Sequence, residues 1–243
     1  MTDFRSELYE KYVSTFKGEQ SGMTPEGLQS YFGWCEARLL PMFEGLGPDA
    51  EIVEVGCGPG YFLEFLARHG FGRVRGIDIS REQIDLAVAR GCAAEVADVF
   101  EYLGARRGAF AAIVAIDLVE HFQKDELLRL SAAFRDALAP GGRLIVQTAN
   151  GEGLFPRQII YGDLTHATIL TPGSFRQLFT LAGFERFRFG ESGPVPRGLK
   201  GRVRSALWGA IRTAANLVRV IETGKSQAVW TENMICRCDR PTR

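Results

Sequence analysis

The stretch Glu54-Val-Gly-Cys-Gly-Pro-Gly60 decides the fold of this 243-residue chain. It follows a β-branched run and carries glycine at three alternate positions, Gly56, Gly58 and Gly60, where a strand must turn sharply into a helix. Bare main chain there lets a ligand come close. The helix that follows offers unpaired N–H groups to the oxygens of such a ligand. About 18 residues past the last glycine, Gly76-Ile-Asp78-Ile-Ser80 ends a second strand in an acid placed to hold ribose hydroxyls.

Working outward, short β-branched runs alternate with helical patterns from Glu51 to Phe189, the signature of a doubly wound α/β sheet. The runs Glu51 to Val55, Arg73 to Asp78, Ala94 to Ala97, Phe110 to Ile116, Arg143 to Thr148, Phe184 to Phe189 and Ala228 to Cys238 predict seven strands, the last antiparallel. Helices are predicted over Tyr61 to Arg68, from Ser80 to Arg90, over Lys124 to Ala137, and from the cap Thr171-Pro172 to Ala182. Ahead of this Rossmann-like core, Asp3 to Phe16 and Thr24 to Phe43 read as helical and aromatic-rich. The expected organisation is an N-terminal helical cap over residues 1–46, packed on the cofactor edge. The core spans 47–243, with an insertion at about 191–226.

The totals exclude more than they assign. With 46% apolar and 24% charged residues, the chain has material for one large domain. The cysteines Cys35, Cys57, Cys92, Cys236 and Cys238 show no CxxC pairing, which predicts reduced, structural thiols. Neither a secretory start nor a bilayer-length apolar run is present, so the expected location is cytoplasmic. Lys plus Arg and Asp plus Glu stand at 29 each, which gives no reason for a nucleic-acid partner.

The spacing GxGxG, in place of the GxGxxG of dinucleotide folds, favours S-adenosylmethionine over NAD. Asp98-Val99 closes the third strand where a carboxylate can meet an adenine amino group, and Ile116-Asp117-Leu118 closes the fourth beside the methyl-transfer position. Together, from Ala50 to Thr148, these residues resemble the class I S-adenosylmethionine-dependent methyltransferases. The resemblance implies a methionine-binding loop of Glu54, Gly56, Cys57, Gly58 and Gly60, a ribose ligand in Asp78, an adenine neighbour in Ile79, and adenine-edge contacts at Asp98 and Val99. Asp117 and Leu118 match the motif near the sulfonium.

Methyl transfer to a hydroxyl needs alignment and a base. His69 ends a helix before Gly70 and reads as a surface or capping residue. His166, in Tyr161-Gly-Asp163-Leu-Thr-His166, lies in a polar loop at the carboxyl edge of the sheet and is the first candidate, with Asp163 beside it; His121, just after the fourth strand, is the second. The bland reading is that Asp163, Thr165 and His166 only organise the loop. Asp117-x-x-Glu120-His121 is also similar to the metal cluster of some quinone O-methyltransferases, with Asp in place of the usual Glu at its first position; no metal is assigned.

From Pro194 to Ile221 there are six cations, Arg197, Lys200, Arg202, Arg204, Arg212 and Arg219, and no acid. At 100° per residue Leu199, Val203, Leu207, Ala210, Ala214, Leu217, Val218 and Ile221 form one stripe, and Arg197, Arg204, Arg212 and Arg219 lie opposite. Two arrangements fit: the apolar stripe packs on the domain or on a second subunit with solvated arginines, or the helix lies on anionic lipid at the inner face of the membrane. Trp208 sits among the arginines and suits neither.

The opening Tyr9-Glu-Lys-Tyr12, the Asp163-Leu-Thr-His166 loop with Thr171-Pro172, and Thr231-Glu-Asn-Met-Ile resemble methyltransferases of surface-polysaccharide and glycolipid clusters. That resemblance implies O-methylation of a sugar hydroxyl on a glycan or lipid-linked saccharide. The rivals are ubiquinone-type phenol O-methylation and a non-catalytic S-adenosylmethionine-binding module. Base methylation is disfavoured, because Asp117-Leu-Val-Glu120 stands where a tetrad for a flipped base would be.

Overall fold

Ile52–Val55 are buried along their whole length and form β1, the strand that runs into the glycine loop. Such a strand needs helices on both faces and a neighbour at each edge. The computed structural model describes residues 23–242 and supplies both. Around β1 lie β2 (Val74–Asp78), β3 (Ala94–Val96), β4 (Phe110–Ile116), β5 (Leu138–Ala149), β6 (Glu185–Glu191) and β7 (Asn233–Asp239). They make one seven-stranded sheet in the order β3-β2-β1-β4-β5-β7-β6. β1 pairs in parallel with β2 and β4, whereas β7 runs antiparallel to both β5 and β6. Strand order reverses between β1 and β4, and a ligand crevice opens at the carboxyl ends of strands at such a point.

Alternation along β1 assigns the two faces. Val53 and Val55 join Leu130, Phe134 and Phe175 of α5 (Lys124–Ala137) and α7 (Pro172–Leu181). Ile52 joins Cys35, Phe62 and Phe65 of α1 (Pro25–Arg38) and α2 (Tyr61–Arg68). The caps are those the sequence predicts: Ser80 accepts from Gln83 N at the start of α3 (Arg81–Ala89), and Thr171 accepts from Ser174 N at the start of α7.

The structure redraws several expectations. Pro41 stops the second N-terminal helix at Arg38, leaving a 3-10 turn over Leu40–Phe43 where a continuous helix was expected. The helix expected over Asp3 to Phe16 lies outside the described residues. A short helix, α4 (Val99–Gly104), arises because Asp98 Oδ1 accepts from Phe100 N and Glu101 N. β5 starts early, at Leu138 paired with Phe110, and slips register before Arg143 meets Ala112. β7 starts late, because Trp230 N and Thr231 Oγ1 bond to Glu191 Oε1 and Asn233 O before the ladder begins. The loop after β5 holds a single helical turn, α6 (Arg157–Tyr161), and the insertion is one long helix, α8 (Gly198–Thr223).

Candidate active site

A cavity of about 900 Å³ opens where β1, β2 and β4 end, and the glycine loop forms its floor. Gly56, Gly58 and Gly60 have φ of 70°, 51° and 77°, left-handed values that an L side chain resists. At Gly56 a Cβ would also stand 2.8 Å from Leu118 Cδ1. Asp78 braces the loop: its Oδ2 accepts from Gly58 N at 2.9 Å and its Oδ1 from Ser80 N at 2.8 Å. Cys57 lines the cavity but is buried, its thiol is pushed up by that burial, and its Sγ occupies the space that a side chain at residue 76 would need.

Glu54 tests whether S-adenosylmethionine fits. Its side chain is buried in the cavity wall, Oε2 has no hydrogen-bond partner, and burial followed by the charge of Asp78 holds the carboxyl well above its usual range. An ammonium group would satisfy that orphaned oxygen and favour the carboxylate. At the other end Ile79 is 62% exposed in the cavity wall, a surface on which an adenine can lie. Asp98 and Val99 line the same end. Asp117 is held at φ 49° while Gln147 Nε2 donates to both of its oxygens, at 2.9 and 3.1 Å, and Leu118 follows it in the wall.

The opposite end of the cavity is assembled from two chain segments far apart in sequence. The 3-10 turn Val119–His121 leaves β4, and the loop carrying Asp163 to Thr168 folds back on it, with Ala167 N and Thr168 N donating to Glu120 O. Thr165 Oγ1 donates to Asp163 Oδ1 at 2.6 Å and lies 2.8 Å from His121 Nδ1. A hydroxyl has one proton, and this one goes to Asp163. With a proton on His121 Nδ1, the ring donates to Thr165 Oγ1 and the three groups form one chain. Burial, then the neighbouring His166, lower the pKa of His121, with Asp163 opposing, and this favours the neutral ring. His166 meets it edge-on at 5.0 Å between ring centres, and its buried Nδ1 has no partner.

Of the sequence candidates, His121, Asp163 and His166 come together, and their ligand atoms lie within 4.8 Å of one another, a set that could also hold a cation. Asp117 and Glu120 do not join that set. Glu120 Oε2 accepts from the Thr148 hydroxyl, and burial followed by the charge of Asp117 pushes its carboxyl up. His69 lies elsewhere, its Nδ1 on Phe65 O at the end of α2. Sequence reasoning missed Tyr31, which enters the wall from α1, and also Gln147 and the linking role of Thr165. For Tyr31 the aromatic richness of the N-terminal region was the available signal. Gln147 and Thr165 carry none, because their roles arise from distant pairing.

Residues 29–186 match a family model described as a methyltransferase domain. The chain belongs to that family. It is similar to the ubiquinone biosynthesis O-methyltransferase of Psychrobacter arcticus, 26% identical over 155 residues covering 56% of this chain and 59% of that protein. The match thus spans less than two thirds of the relative's length. In fold it is similar to an S-adenosylmethionine-dependent methyltransferase from Archaeoglobus fulgidus, with TM-score 0.65, 15% identity and coverage of 98% and 100%. It is similar also to phosphoethanolamine N-methyltransferase 2 of Haemonchus contortus in complex with S-adenosyl-L-methionine, with TM-score 0.63, 15% identity and coverage of 96% and 60%.

Proposed function

We propose that the protein methylates a hydroxyl group, most simply one on a sugar of a glycan or lipid-linked saccharide, and that the imidazoles of His121 and His166 handle its proton. The observation that carries this reading is the chain Asp163–Thr165–His121, which ends beside His166 in the cavity wall. S-adenosylmethionine, when bound, supplies a methyl group on a cationic sulfur. Gly56, Gly58 and Asp78 would hold it, with Glu54 opposite its ammonium group and Ile79 against its adenine. The remaining work is to aim a nucleophilic oxygen at that carbon and to remove its proton.

His121 is built for the second task. The Thr165 hydroxyl is placed to orient its ring, and burial, which lowers its pKa, favours the neutral imidazole that can accept a proton. In this reading the base is His121, the second candidate by sequence position, and not His166, the first. His166 Nδ1, buried and unpartnered, orients the acceptor through a second hydroxyl.

The likeness to ubiquinone biosynthesis O-methyltransferase favours a second reading, a phenolic acceptor. The two differ in how much base they need. A sugar hydroxyl is very weakly acidic, whereas a phenol ionises near pH 10 without help. Methyl transfer from labelled S-adenosylmethionine to glycolipid and to phenol panels, with wild type and His121→Ala, tests both. A sugar acceptor predicts that the variant loses about 10²–10⁴ in kcat. A wild-type rate in that variant overturns the base assignment, and turnover of phenols alone overturns the sugar.

A further inference from the structure

Helix α8 reverses the usual polarity of a surface helix. Residues Gly201, Ser205, Trp208, Arg212, Asn216 and Arg219 recur at helical spacing and, with Gly209 and Ala215, are the half-buried ones. They dock the helix on the domain through polar contacts. Trp208 Nε1 and Arg212 Nη1 both donate to the buried Glu191 Oε2, at 3.0 and 2.6 Å; Ser205 donates to Pro194 O; and Asn216 Oδ1 accepts from Gln227 N. The puzzle of Trp208 among the arginines ends here, because that face is the inner one.

The apolar stripe therefore points away from the protein. Leu199, Val203, Leu207, Leu217, Val218 and Ile221 are 81%, 50%, 60%, 63%, 66% and 77% exposed, and no residue of the 26-residue helix is buried. At 1.5 Å per residue this apolar arc, from Leu199 to Ile221, runs for about 33 Å. Arg212 and Arg219 turn inward, while Arg197, Lys200, Arg202 and Arg204 stay exposed at the helix start. The helix is not of a kind that crosses a bilayer: among the described residues none is long and apolar enough.

A second exposed apolar group lies on the loop whose Gln158, Ile159, Gly162 and Asp163 line the cavity. Phe155, Tyr161 and Leu164 are 76%, 79% and 82% exposed, on the loop that also supplies Asp163. This loop is tied to the segment following α8, since Gln227 Nε2 donates to Glu152 O and Leu154 N donates to Trp230 O.

We infer that α8 lies flat on an anionic lipid surface, with its apolar face among the acyl chains and Lys200, Arg202 and Arg204 at the headgroups, bringing the cavity mouth to that surface. An apolar arc flanked by cations is the chemistry of an interfacial helix, and each exposed cation adds attraction to anionic headgroups. The bilayer is chosen over a second copy because the cluster of cations calls for negative charge, and Glu222 is the one acid between Pro194 and Lys225.

The test floats the full chain on vesicles of equal parts phosphatidylcholine and phosphatidylglycerol, and on phosphatidylcholine alone, at low salt. Binding to the anionic vesicles is expected to be at least about tenfold tighter, and to weaken with salt. Leu207→Glu with Leu217→Glu should abolish it while leaving S-adenosylmethionine affinity unchanged, because both side chains already face outward. Three results would each overturn the inference: no flotation, equal flotation of that double variant, or a wild-type dimer that the variant turns into a monomer. None of them depends on the identity of the methyl acceptor.

Discussion

The two ends of the cavity are built by different means. The donor end is made by main chain and its neighbours within one continuous stretch: Gly56, Gly58, Asp78 and Asp98 each act within about 20 residues of the next. The acceptor end is made by side chains brought from afar, His121 being linked to Thr165 across 44 positions. A site of the first kind is written as a local pattern. A site of the second kind exists only once the sheet and its return loop have formed.

The sharpest break of this contrast is Gly56→Val. A branched side chain at φ 70°, set against Leu118, distorts the loop, and S-adenosylmethionine affinity measured by calorimetry should fall about 100-fold or more. Asp78→Asn comes next. It weakens the proposed ribose contact and the brace on Gly58 N together, and the same measurement should show about a 10- to 100-fold loss. If either variant bound the cofactor as wild type does, the donor end would not be the main-chain cradle described above.

At the acceptor end effects should be smaller and should fall on kcat. Thr165→Val leaves His121 Nδ1–H without its acceptor and should lower kcat about tenfold with cofactor affinity intact, while Thr165→Ser restores the rate. A loss that serine fails to rescue would mean that the threonine methyl, not its hydroxyl, matters.

Glu120→Gln should have the smallest effect, and of opposite sign. Its carboxyl is raised in the fold, so the wild type loses stability as pH climbs from about 4.3, the unfolded value, through the higher folded value. Glutamine keeps an acceptor for the Thr148 hydroxyl and has no such slope. Its advantage in thermal unfolding should therefore grow with pH across that window. A constant offset between the two proteins would show that Glu120 is ionised throughout.

The same contrast explains what could be read without coordinates. The seven strands with the last antiparallel, and the helix caps Ser80 and Thr171, follow from local signals, and those readings match the structure. Three boundaries were misjudged for physical reasons: Pro41 breaks a helix, Leu138 joins the ladder through a bulge, and the chain before Asn233 is claimed by Glu191 and the loop at Asn150. His121, Asp163 and His166 could be picked out singly by residue type, yet their meeting could not. In α8 periodicity identified an amphipathic helix but not which face would turn inward, because the polar Glu191 that attracts Trp208 and Arg212 belongs to another element.

The position of β7 has a consequence for how the chain is made. It is the last strand in chain order, yet it lies between β5 and β6. Until it has emerged from the ribosome, β5 keeps one unpaired edge and β6 has no partner in the sheet. A nascent chain that has already completed the glycine loop, the histidine pair and α8 still exposes hydrogen-bonding edges that invite pairing with other chains. Truncation just before Asn233 should thus yield aggregation in expression trials, although every residue of the proposed donor loop and histidine pair would be present.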